Sequence, residues 1–211
     1  MIELKFGRKT VDLPYSVRIP DVSEALFDDL VDADMKAELI NGVMIVHSPT
    51  TIQHDDIGGF TRGLMSFYAD ALALGSVLGP DTLVRLASGR KFCPDALFVK
   101  KGRMPRPRPK QLRITPDGTV EVLSLSNRAD DLEDKRPAYR EAGVGELWFI
   151  DPEEELVIVD RKRGRSYKEE IVRKGKLEFS VMHGFWLDVS WLWLDPLPNR
   201  MECLGKILAN P

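Results

Sequence analysis

Apolar positions along this chain follow two rhythms. Between Gln53 and Leu74, the residues Ile57, Phe60, Leu64, Phe67, Tyr68, Ala71 and Leu72 recur at helical spacing, which predicts a long helix ended by Gly75. The pair Gly58-Gly59 weakens its first turns. Elsewhere apolar residues come in short runs bounded by turn formers. AELI and VMIV flank Asn41-Gly42, and an Asn-Gly turn between such runs predicts a hairpin, because both turn positions take positive φ. VLGPDTLVRLA, FCPDALFV (92–99), TVEVLS (119–124) and ELWFID (146–151) read as strands, the last closed by Asp151-Pro152. LVIVDRK, YKEEIV and KLEFSV, with Gly164 as a turn, predict an antiparallel meander. Shorter helices are expected at DVSEALFDDL (21–30), capped by Asp21, and at 134–142, stopped by Gly143. DVSWLWL reads as a short helix or strand.

The middle of the chain therefore runs helix, strand, strand, strand, helix, strand. That order predicts an α/β fold of the mixed α+β kind: a central sheet flanked by helices, with β-hairpins added at both ends. The expectation is a single domain over residues 1–211, its core at about 35–160, with the N-terminal hairpin and helix and the C-terminal meander as appendages.

Composition narrows the class. The 211 residues are 43% hydrophobic and 30% charged, ordinary for a globular protein, and no apolar run has the length of a membrane span. A net charge of −3 gives no global basic footprint, although a local basic patch would still serve a nucleic acid. Cys93 and Cys203 have no metal-type spacing and read as reduced cytoplasmic thiols. His47, His54 and His183 are too scattered for a structural zinc site.

The informative positions are charges inside apolar strands. Asp95 lies in CPDALFV and Glu121 in TVEVLS. A carboxylate in a buried strand costs several kcal/mol unless it is paired. Neighbouring strands lie roughly 4.8 Å apart, so two acids at matched height can share one hard cation, Mg²⁺ or Mn²⁺. Such an ion acidifies a bound water and offsets charge on a scissile phosphate. Taken singly, Asp95 could instead cap a bulge beside Pro94, and Glu121 could pair with a surface lysine. Lys135, about a dozen residues beyond Glu121, could orient a water or stabilise a phosphorane. Pro137 is tolerable there if the helix begins near Asp134, with Lys135 in its first turn.

The segment PDALFV…VEVLSLSNRADDLEDKRPAYREAGVGELWFIDP resembles the Uma-type restriction endonucleases, a branch of the PD-(D/E)xK nuclease superfamily. AELINGVMIVHSPTTIQHDDIGG and HGFWLDVSWLWL resemble the same family, so the likeness covers roughly residues 35–195. It implies a restriction-endonuclease-like core. Asp95 and Glu121, with the Val122 carbonyl, would then be metal ligands and Lys135 the catalytic lysine. The superfamily's short motif puts its lysine two residues after the acid, at what is here Leu123; in this branch it has moved to the next helix. Glu38, His54 and Asp131 match further family positions. Val43, Leu125 and Pro137 depart from the family pattern.

The resemblance makes the expected function metal-dependent cleavage of phosphodiester bonds in DNA, with Mg²⁺ or Mn²⁺ as cofactor. Nucleases of this kind often act as homodimers, but no interface is legible here. The alternative is a catalytically weak or inactive nucleic-acid- or partner-binding domain on the same scaffold. KKGRMPRPRPKQLR (100–113) has no acid and is held extended by its Arg-Pro alternation, which makes Lys100, Lys101, Arg103, Arg106, Arg108 and Lys110 candidates for gripping DNA phosphates. Trp186, Trp191 and Trp193 read as core or a dimer contact rather than a base-stacking platform.

Overall fold

The computed structural model describes residues 16–31, 35–87, 89–106 and 111–211. The hairpin predicted at Asn41-Gly42 is present: both residues have positive φ (49° and 87°), and the turn joins β2 (Ala37–Ile40) to β3 (Val43–His47). β1 (Ser16–Ile19) pairs with β3, and α1 (Glu24–Leu30) lies between them in sequence. Its cap is Ser23, whose hydroxyl accepts the Leu26 N–H at 3.1 Å; Asp21 takes positive φ instead of capping. The long helix α2 spans Ile52–Ala71 and is capped by Thr51. It stops before Gly75, which instead opens β4 (Gly75–Leu78). β5 (Val84–Ala87), β6 (Arg90–Phe92), β7 (Ala96–Lys100) and β8 (Gly118–Val122) follow.

After β8 the chain is helical from Arg128 and contains a π-helical segment, Asp130–Lys135, that continues into α3 (Arg136–Ala142). The Arg136 N–H donates to the Asp131 carbonyl, five residues back. Pro137 therefore sits inside a continuous helix, not near its start. Widening just before the proline accommodates a residue that has no N–H and crowds the preceding turn. Gly143 (φ 80°) ends the helix as expected.

β9 (Glu146–Asp151), β10 (Leu156–Arg163) and β11 (Ser166–Val172) come next. The third strand of the predicted meander leaves this sheet: β12 (Lys176–Glu178) pairs with β13 (Trp186–Asp188), and Val189–Trp193 forms a 3-10 turn. The C-terminal α4 (Arg200–Ala209), capped by Asn199, was not expected from the sequence.

The strands form a mixed sheet in the order β11-β10-β9-β8-β7-β4 and a second sheet in the order β1-β3-β2-β6-β5. β8 and β9 are parallel, joined by the π segment and α3; the other pairs of the first sheet are antiparallel. Helices cover it. From β9, Trp148 and Ile150 join a core with α2, α4 and the C-terminal Phe179, Phe185 and Leu187. Leu147 and Phe149, alternating with them, join Ile40, Ile45, Phe92 and Tyr139 on the other side. A strand buried on both faces needs apolar residues at every position, and this explains why ELWFID lacks polar alternation. The second sheet and α3 share that other face, and polar residues enter the interior where they meet β7 and β8.

Candidate active site

Asp95 lies in the link that carries the chain from β6 in one sheet to β7 in the other, one residue past Pro94. β7 and β8 pair with Ala96 opposite Val120. Continuing that register by one residue sets Asp95 opposite Glu121, the matched height expected from the sequence. The Val122 N–H donates to Asp95 Oδ2 at 2.8 Å, and His54 Nε2, in the first turn of α2, lies 3.5 Å from the same oxygen. Arg62, two turns further along α2, donates to the Asp95 carbonyl at 3.2 Å.

Glu38 projects from the hairpin strand β2, which is buried along its whole length. Its Oε2 bonds His47 Nε2 at 2.8 Å; its Oε1 accepts the Cys93 N–H at 2.7 Å and lies 2.9 Å from Lys135 Nζ. The bond to Cys93 anchors the backbone two residues before Asp95. Lys135 Nζ is also 2.9 Å from Asp131 Oδ1 and 3.8 Å from Glu121 Oε1. The Tyr139 hydroxyl donates to Glu121 Oε1 at 2.6 Å. The helix thus turns Asp131, Lys135 and Tyr139, spaced four apart, toward the strand acids. Leu123, where the short superfamily motif would carry lysine, is 3% exposed and packs in the apolar cluster with Tyr139.

These groups are almost fully withdrawn from solvent: Glu121 is 2% and Lys135 3% exposed. Burial is the strongest influence on Glu121; with the charges of Asp131, Asp95 and Glu38 it raises that carboxyl well above the ordinary range, and Lys135 offsets only part. Burial likewise lifts Asp131 to about 6 against the pull of Lys135. Burial would raise Glu38 too, but Lys135 and His47 prevail and hold it at about 2. Burial alone would lower the Lys135 ammonium, yet Asp131, Glu121 and Glu38 keep it well above its usual value.

Three buried acids, Glu38, Glu121 and Asp131, thus converge on the buried Lys135, with Asp95 opposite Glu121, and Asp131 Oδ2 has no hydrogen-bond partner among the described residues. The cluster is short of positive charge. A cleft of about 40 Å³ opens onto Asp95 and Glu121, walled by Lys36, His47, His54, Ser124 and Ser126. Among the described residues no group of three or more His, Cys, Asp or Glu side chains forms a preset metal cage. Two carboxylates, a backbone carbonyl and water oxygens would still suit a hard divalent cation, which normally keeps several waters. Asn127 Nδ2 makes a long contact of 3.4 Å to the Val122 carbonyl. On donor chemistry and charge, the residues fit such an ion.

The basic stretch lies elsewhere. Asp95 precedes β7 and Lys100 ends it, so the two are separated by the length of the strand, roughly 17 Å at 3.4 Å per residue. Lys100, Lys101 and Arg106 are exposed, whereas Arg103 pairs with Asp117 at 2.6 Å and donates to the Thr115 carbonyl. Arg108 and Lys110 lie outside the described residues. The described part of this stretch therefore does not put its positive charge beside the acids. Conversely, His47 carried no usable sequence signal, yet it touches Glu38. The hairpin could have revealed it: a two-residue turn pairs Glu38 with Ile45, making His47 the diagonal neighbour on the same face.

A mixed sheet flanked by helices is the architecture of the restriction-endonuclease-like proteins. The chain belongs to the family described as "Uma2: Putative restriction endonuclease", whose model matches residues 24–190. It is similar in fold, with a TM-score of 0.71 and 19% identity, to a crystal structure described as a putative nuclease belonging to DUF820 from Anabaena variabilis ATCC 29413; the match covers 82% of this chain and 97% of that one. No curated protein matches it. Among the described residues no helix is long and apolar enough to cross a membrane.

Proposed function

We propose that the protein is a metal-dependent endonuclease that hydrolyses phosphodiester bonds in DNA. The observation that carries this reading is the pair Asp95 and Glu121, set opposite each other by strand register at the floor of one small cleft. Asp95, Glu121 and the Val122 carbonyl would hold Mg²⁺ or Mn²⁺. When bound, the ion supplies Lewis-acid polarisation of the phosphate and a more acidic water.

The chain's own groups do the rest. The Val122 N–H and the Tyr139 hydroxyl fix the two carboxylates, so little reorganisation is needed when charge develops. Lys135, held by Glu38 and Asp131, is the fixed positive charge behind Glu121 and opposes the charge gathering on the attacked phosphate. His54, in the cleft wall 3.5 Å from Asp95, can exchange a proton with a water entering there. Lys100, Lys101 and Arg106 would grip the DNA backbone well away from the scissile bond.

The test is plasmid cleavage by purified protein with Mg²⁺ or Mn²⁺, compared with Asp95→Asn and Glu121→Gln. Cleavage by the parent and at least a hundredfold loss in both variants, with unchanged circular dichroism, is expected from a metal-held transition state (about 2.7 kcal/mol or more). Equal cleavage by parent and variants would remove these residues from the chemistry. No cleavage by the parent would favour a binding module on a nuclease scaffold.

A further inference from the structure

A second cavity neighbours the small cleft across the start of α2. Ile52, Gln53 and Asp56, at the start of α2, form one wall of a groove of about 610 Å³; Trp193, Leu194 and Pro196 form the other. Thr50 and His54, on either side of Ile52 in the chain, line the small cleft that opens onto Asp95 and Glu121. Ile52 therefore stands between residues of the small cleft and faces the groove, so the two spaces are neighbours across the start of α2.

Three features limit what the groove can receive. Its volume lies in the range of small-molecule sites, about 300–1,000 Å³. Its charged lining is mainly acidic, with Asp56, Glu155 and Asp195 against Arg200. Carboxylates repel phosphate but accept hydrogen bonds from the amino groups of base edges. The third feature is Ile52 in its lining, 82% exposed and among the most exposed large apolar side chains of the described residues. Apolar side chains in such positions can wedge against base faces. The bases of an intact duplex are stacked and paired, and offer no such face.

Building on the nuclease reading, we propose that this groove is a subsite for an unpaired nucleobase next to the scissile phosphate, and that the preferred substrate is DNA with unpaired bases. The backbone enters the small cleft while the neighbouring base turns over Ile52 into the groove. The acidic lining keeps phosphate out of the groove and leaves it to the cleft.

The test is fluorescence anisotropy in EDTA, which keeps strands intact, with labelled DNA that is single-stranded, fully paired, or single-stranded with every base removed. Single-stranded DNA is expected to bind about tenfold or more tightly than either of the others, the scale of stacking for one base. The variant Ile52→Asp/Leu194→Asp changes two exposed lining residues, should keep its melting temperature, and should bind single-stranded DNA no better than the base-free strand. Equal binding of the three DNAs, no binding of any, or an unaffected variant overturns the subsite. Base-dependent binding without cleavage by the parent keeps the subsite and removes the nuclease reading. Cleavage that depends on Glu121 but binding that ignores bases does the reverse.

Discussion

Replacing Lys135 by Met removes one ammonium and leaves a side chain of similar length. Its Nζ holds Glu38 and Asp131 at 2.9 Å each and lies 3.8 Å from Glu121, all of them buried. Removing one partner of a buried ion pair costs about 3–5 kcal/mol, because the other charge remains buried without compensation. For a chain of this size each kcal/mol shifts the melting temperature by about 2–4 °C, so Lys135→Met should melt roughly 6–20 °C lower. Urea unfolding near neutral pH in EDTA, with a parallel thermal scan, measures both. The decisive control is the double variant Glu38→Gln/Asp131→Asn: with two of the three acids neutral, Lys135→Met should cost at most about half as much. A single variant within about 1 kcal/mol of the parent would show that the acids are not relying on Lys135, which would refute the electrostatic account of the cluster.

Three further outcomes follow from the same structure. Tyr139→Phe deletes the 2.6 Å bond to a buried carboxylate and should cost about 1–3 kcal/mol in denaturant; a neutral result would mean that Glu121 has another donor. Gly75→Ala would place a Cβ 2.2 Å from the Val99 carbonyl oxygen and 2.8 Å from the Phe98 ring; separating β4 from β7 should cost about 1–3 kcal/mol or more by thermal unfolding, and wild-type stability would contradict the close approach. Burial would raise the Asp160 carboxyl, but hydrogen bonds and charge from Arg136 and Arg140 outweigh it and hold it below its ordinary 3.8. Its contribution is therefore full above pH 3.8 and is lost as pH falls through the lower folded-state value. Asp160→Asn should lose stability near neutral pH and flatten the acid limb of the pH–stability curve, and an unchanged limb would contradict this.

Local signals in the sequence were read correctly where short-range chemistry decides the structure. Asn41-Gly42 gave the hairpin, ELWFID the doubly buried strand, and the charges in CPDALFV and TVEVLS the opposed acids. What failed to show depends on partners distant in the chain. The π segment exists where Lys135 must meet Glu38 from another sheet, and only Pro137 hinted at an irregular turn. β12 departs from the meander because its partner, β13, lies on the far side of a loop. α4 has a plain N-cap in Asn199, but a single amphipathic stretch after Pro196 and Pro198 carried too little periodicity to stand out. Ser23 outcompeted Asp21 as cap because the chain at Asp21 turns through positive φ.

The helix after β8 serves two neighbours at once. Asp131, Lys135 and Tyr139 face the strand acids, while Arg136 and Arg140 clamp Asp160 on β10. Each residue along a helix turns its side chain by about 100°, so the two sets are held in phase only by the number of residues between Asp130 and Arg140. The wide turn at Asp130–Lys135 accommodates the extra backbone that this phase requires. Substitutions here alter charge or packing locally, but deleting or inserting one residue between Asp131 and Arg140 would put the residues after it out of phase with those before it, and because the two sets interleave it would split at least one of them. Over these residues the protein should tolerate drift in composition and resist any change in length.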